Sequence, residues 1–304
     1  MIDWLSVNRH LLVRLLGTVL AVFLIVVLFE REGWAEITSS IRQISLPVFL
    51  LALASLLVSR IFVIVRWHIL LRSGGVAIPF ARTMELTLTG LFASNYLPTT
   101  IGGDVVRLGG AMQLGFDRAV CLASIVADRL LGMAGMVFAL PFGLIPAWNV
   151  LGVSSLQAGF LPAYRKKLAA FLQRTLRSFS VWFRKPLALF VALLCTWGNM
   201  IFIFLTLFIL LDGLGESVSF WLIAGIWSLA YFVTLIPISI NGYGVQELSL
   251  TFLFSNVAGI GPAPSLAVAV LIRILLLLAS LPGSVFLPSA LAAMSRQNAD
   301  WPDP

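Results

Sequence analysis

Leu97-Pro98-Thr99-Thr100-Ile101-Gly102-Gly103-Asp104-Val105-Val106-Arg107 and Ile236-Pro237-Ile238-Ser239-Ile240-Asn241-Gly242-Tyr243-Gly244-Val245-Gln246 are two broken segments in matching positions. At one constant offset Pro98 meets Pro237, Ile101 meets Ile240, Gly103 meets Gly242 and Val106 meets Val245. Each pair interrupts an apolar region long enough to lie in a bilayer. Pro and Gly interruptions at corresponding points of two halves point to a binding site in a repeat-built membrane protein.

Composition makes the bilayer the relevant solvent. Of 304 residues, 60% are hydrophobic and 11% charged, with a mean hydropathy of +1.02. Soluble domains average about 25% charged residues. The net charge is +7, but the bases cluster between apolar stretches, where the positive-inside bias puts them. No nucleic-acid partner is expected. Cys121 and Cys195 lie in apolar stretches without metal-ligand spacing and read as small buried hydrophobes. No metal and no cofactor is expected.

Stretches of about 20 apolar residues fall at 11–29, 46–71, 82–97, 119–145, 186–211, 218–238 and 264–291. The stretch 246–258 reads as re-entrant or as an eighth span. The expected fold is all-α: a polytopic helical membrane protein with 7-8 transmembrane helices, built as an inverted repeat around two broken or re-entrant segments. A single integral membrane domain covers 1–304, with an extra helix at 11–29, repeat one at 45–145, a connector at 146–185 and repeat two at 185–290.

The connector holds Arg165, Lys166, Lys167, Arg174, Arg177, Arg184 and Lys185 and no acid, so it is expected on the cytoplasmic side. Within it, Leu168, Phe171, Leu172, Leu176 and Phe179 recur at helical spacing beside the bases. This predicts an amphipathic helix over 162–183, lying on anionic lipid. The loops 30–45 and 212–217, richer in acid, are expected outside.

Charges inside spans are costly and usually face a protein interior or a wet cavity. Here they are Arg60, Glu85, Asp128, Arg129 and Arg273, with Asp104, Arg107 and Glu247 at the breaks. Asp128 and Arg129 point about 100° apart on a helix, so each needs another partner. Arg273 has no acid near it in sequence. Gly102, Gly103, Gly242 and Gly244 free the backbone to turn, and the helices that follow present N–H groups that attract anions. Arg107 lies in one first turn and Glu247 in the other. Asn95, Pro98 and Asn241 flank the same breaks and complete the candidate substrate-binding set. His10 and His68 are far apart, and Gly-x-Ser-x-Gly, Walker and paired-His signatures are absent, so no enzyme site is expected.

Five motifs together carry a family resemblance: Arg66-Trp67; Asn95-Tyr96-Leu97-Pro98; Gly102-Gly103-Asp104-Val105-Val106-Arg107; Asp128-Arg129-Leu130-Leu131-Gly132; and Pro237-x-Ser239-x-Asn241-Gly242-x-Gly244-Val245-x-Glu247. As an ordered set they resemble the flippase-like transmembrane domain of bacterial lysylphosphatidylglycerol synthases, and are similar to stand-alone relatives such as hopanoid-associated membrane proteins. The resemblance implies lipid handling in a bacterial inner membrane. The expectation is a lipid flippase or transporter for a polar-headed or anionic lipid. The alternative is a membrane-embedded accessory subunit or transferase in lipid or glycolipid synthesis. Residues 1–304 hold no soluble aminoacyl-transfer domain, so lysyl transfer is not expected of them.

Overall fold

The computed structural model describes residues 34–96, 102–148, 185–236 and 239–288, with isolated positions between 19 and 30 and at 150. Most of the span expected at 11–29, both break prolines (Pro98 and Pro237), and the stretch 162–183 with its anionic lipid fall outside the described residues.

Every regular element among the described residues is helical. In chain order they are α1 Trp34–Gln43, α2 Leu46–Ser73, α3 Phe80–Tyr96, α4 Gly102–Gln113, α5 Arg118–Ala147, α6 Pro186–Gly213, α7 Phe220–Thr234, a 3-10 turn Ile240–Gly242, α8 Val245–Asn256, α9 Pro262–Ser280 and a 3-10 extension Leu281–Val285. Among the described residues, four segments are long and apolar enough to cross a membrane: α2, α5, α6 and Pro262–Val285. Proline opens α2, α6 and α9, where its missing N–H would be unpaired in any case.

The long helices α2 and α6 lie antiparallel. Ser55 Oγ donates to the Phe202 carbonyl at 2.9 Å, Phe62 stacks on Phe202, and Arg66 reaches Thr196. Lys185 Nζ, just before α6, donates to the Ser73 carbonyl at the far end of α2. Both helices end in the same kind of turn. Gly75 and Gly215 have φ of 98° and 79°. The next amides, Val76 and Glu216, donate back to Leu71 and Leu211.

The shorter helices form hairpins. In α3–α4, a Cβ on Gly110 would strike Leu86, and one on Gly103 would strike Ser94 and the Gly90 carbonyl. That close approach is why glycine stands at 103. The hairpin brings the chain back to the end it left. There Trp67, Leu71, Val76 and Ile78 bury together with Ala111, Cys121 and Ile125. From that end α5 runs to the opposite one, where Phe142 packs on Trp221 in the first turn of α7, ring centroids 5.0 Å apart. A second hairpin, α7–α8, enters from this side and packs Leu229 and Val233 near Leu248 and Phe252.

Two sequence expectations change here. The stretch 82–97 does not stand as a separate crossing, because α3 folds back against α4; of the two readings of 246–258, the 12 residues of α8, about 18 Å at ~1.5 Å per residue, fit the re-entrant one. Because α3–α4 reverses direction, α5 runs opposite to the direction expected for 119–145. Ala147 ends beside α7, whereas Lys185 sits against Ser73. The two anchors of the 146–185 connector therefore lie at opposite ends of the bundle, not together on the cytoplasmic side. Hydropathy marks where a chain breaks but carries no sign for whether it reverses.

Candidate functional site

Asp128 is the centre of a buried charge cluster. Its side chain is 5% exposed. Arg66 Nε donates to Oδ1 at 2.7 Å, and both terminal nitrogens of Arg107 donate to Oδ2 at 3.1 and 3.2 Å. Arg66 comes from α2, Arg107 from the first turns of α4, and Asp128 from α5, so the cluster ties three elements together. Two guanidinia offset the cost of burying the carboxylate. The Arg107 guanidinium also lies over the Trp67 ring, 4.0 Å from its centroid, and Trp67 Nε1 donates to Ser124 Oγ.

Arg129 points away from Asp128, as the helical angle requires, and pairs with Asp104. Asp104 also lies 3.7 Å from Arg107. The Arg129 side chain is 53% exposed, against 9% for Arg107. These groups surround a cavity of about 210 Å³ lined by Arg66, Asp104, Arg107, Asp128 and Arg129, with Gly103 and Ser94 from the hairpin and Tyr231 from α7. Three arginines against two aspartates leave its wall with one excess positive charge. Arg107 Nε has no partner among the described residues, which leaves a donor on a lining side chain.

The second break builds a smaller counterpart. Asn241, Gly242 and Gly244 have φ of 53°, 72° and 78°, left-handed values that glycine and asparagine accept most readily. The turn sets Glu247 in the first turn of α8, where Arg273 of α9 pairs with it through Nε. Arg273 also donates to Gln246 Oε1 at 2.9 Å and lies over the Tyr243 ring. The partner that sequence did not supply for Arg273 is thus Glu247. Arg273 does not line the cavity around Asp128.

The hairpins meet tip to tip. Tyr243 Oη donates to the Asn95 carbonyl, Asn241 Nδ2 reaches Asn95 Oδ1 at 3.5 Å, and Asn95 Nδ2 reaches the Leu276 carbonyl at 3.4 Å. Among the described residues the contact between the breaks runs through Asn95, rather than from Asp104 or Arg107 to Asn241 or Glu247. Arg60 makes no hydrogen bond or ion pair with a described residue, and Glu85 pairs with exposed Arg82.

Arg66, Thr196, Tyr231 and Tyr243 were not among the site residues expected from sequence. Arg66 carries a signal in the sequence, a base inside an apolar span, and it belongs to the Arg66-Trp67 motif. Thr196, which accepts from Arg66 at 3.1 Å, is indistinguishable in sequence from any threonine of a buried helix.

None of the curated proteins matches this chain. The family described as Lysylphosphatidylglycerol synthase TM region matches residues 14–283, a range that holds every charged side chain of both clusters. The ordered motifs, the buried arginine–aspartate centre and the membrane-length helices thus have one account: the chain belongs to the lysylphosphatidylglycerol synthase transmembrane-region family, as a multi-pass membrane protein tied to lipid metabolism.

Proposed function

We propose that the protein is a lipid flippase or lipid transporter of a bacterial inner membrane, moving a polar-headed or anionic lipid without a chemical step. The observation that carries this reading is the cavity of about 210 Å³ walled by three arginines and two aspartates. Pockets that enclose whole drug-sized ligands run to about 300–1,000 Å³, so this one suits a headgroup whose tails stay in hydrocarbon. Its excess positive charge favours an anionic head.

The same reading takes the chain as an inverted repeat with a pseudo-two-fold axis in the membrane plane. Antiparallel α2 and α6, their matching exit turns, and hairpins entering from opposite ends support it. The end carrying Arg72, Arg82, Arg118 and Lys185 is then cytoplasmic by the positive-inside bias.

The test is purified protein in liposomes holding a trace of head-labelled anionic phospholipid, with an impermeant quencher outside. Transbilayer exchange should be faster than in protein-free liposomes, and Arg107→Ala should slow it. Exchange at the protein-free rate would refute the reading.

A further inference from the structure

Beside the charged cavity, α5, α6 and α7 enclose an apolar groove of about 350 Å³. Its walls include Phe138 and Phe142 of α5, Trp197 and Ile201 of α6, and Trp221 and Ala224 of α7. Every other lining residue is a glycine, alanine, methionine or phenylalanine. Phe138, Ile201 and Trp221 are more than half exposed on the side that faces lipid.

The groove and the cavity follow one another along the same faces of two helices. On α5, Asp128 and Gly132 line the cavity, and Gly135, Ala139 and Phe142 line the groove. These five positions recur at intervals of four and three, which is one face of a helix. On α7, Tyr231 lines the cavity, and Ala224 and Trp221 line the groove, again along one face. Buried Thr196 stands between the two, accepting from Arg66, a cavity residue, and lying where a Cβ on Gly135, a groove residue, would meet it.

We infer that this groove holds an acyl chain of the lipid whose anionic head occupies the Arg66–Arg107–Asp128 cavity. The inference rests on the headgroup reading above and adds the tail site to it. From Gly135 to Phe142 the groove runs about 10 Å at ~1.5 Å per residue, against roughly 15 Å for half of a ~30 Å hydrocarbon core. It therefore grips much of one chain and leaves the chain end in the bilayer. The direction is fixed too. The head lies toward the end marked by Ser73 and Lys185, and the chain runs toward the end marked by Trp221. That is the orientation of a lipid drawn inward from the leaflet at the Ser73 end.

The experiment compares two phosphatidic acids, dioleoyl and dihexanoyl, binding to the full chain in detergent. Both carry the same head, but only the first can reach along the groove. Ile201→Trp fills the groove from its exposed side, and Phe138→Ala removes an exposed wall. Wild type should prefer the dioleoyl lipid. Either variant should weaken dioleoyl binding by about tenfold, the effect of losing roughly two methylenes of burial, and leave dihexanoyl binding unchanged. Arg107→Ala should weaken both lipids. If both variants bind both lipids as wild type does, the tail site is wrong and the head site stands. If Arg107→Ala changes neither lipid, the headgroup reading fails, and the linked tail site with it.

Discussion

Arg273 pairs with Glu247, from the twelfth residue of α9 to the third residue of α8. Arg129 pairs with Asp104 from the twelfth residue of α5 to the third residue of α4. The same bridge thus fixes each short hairpin arm to the long helix that follows it. The two differ in burial: the Arg273 side chain is 11% exposed and that of Arg129 is 53%. An exposed pair of this kind contributes at most ~1 kcal/mol, whereas breaking a buried one costs about 3–5 kcal/mol.

That difference sets the first prediction. Glu247→Ala should lower thermal stability in detergent steeply, because it strands a buried guanidinium. Arg129→Ala should leave the unfolding temperature close to wild type while weakening anionic-lipid binding. Equal losses of stability in the two variants would contradict the burial argument.

Asp128 neutralises two buried arginines at once. Asp128→Asn should therefore be the most destabilising single change in the cluster, by about 3–5 kcal/mol. Adding Arg66→Met to it should recover part of the loss, since one stranded charge is then gone. Unfolding of Asp128→Asn at the wild-type temperature would show that the arginines have other counter-charges.

Asn95 and Asn241 place their side chains 3.5 Å apart at the hairpin tips. With Cys121 and Cys195 replaced, Asn95→Cys with Asn241→Cys should be joined by a short, reductant-cleavable bis-maleimide. If transport needs the tips to part, the cross-linked protein loses exchange and reductant restores it. Failure of the pair to cross-link would contradict the tip contact.

The reversal at α3–α4 also has a direct check. Leu114 lies in the turn after α4, and Ser217 lies between α6 and α7. In the same cysteine-free background, Leu114→Cys and Ser217→Cys should react with an impermeant thiol reagent from opposite sides of the membrane. Labelling from the same side would mean that α3 and α4 cross in sequence rather than fold back.

Tyr243→Phe removes the hydroxyl that donates to the Asn95 carbonyl. The expected loss is about 1 kcal/mol, the usual net worth of one hydrogen bond, read as a small drop in unfolding temperature. A larger effect on exchange than on stability would mark the tip contact as part of the moving machinery.

Some of this was present in the residue order. Apolar length and scarce charge required a bilayer, and Pro98, Gly103, Pro237 and Gly242 marked both breaks because only such residues interrupt helices there. The angular separation of Asp128 and Arg129 required two different partners, and the structure supplies Arg66 with Arg107 for the one and Asp104 for the other. Tertiary structure alone decided three things. Whether the chain reverses at a break depends on Gly90 and Gly103 meeting face to face, a contact between helices that hydropathy does not encode. Which acid answers Arg273 depends on how α8 folds against α9. That Thr196 stands between a charged cavity and an apolar groove depends on the antiparallel register of α2 and α6. Local sequence states what each residue costs in hydrocarbon, and only packing states which neighbour relieves that cost.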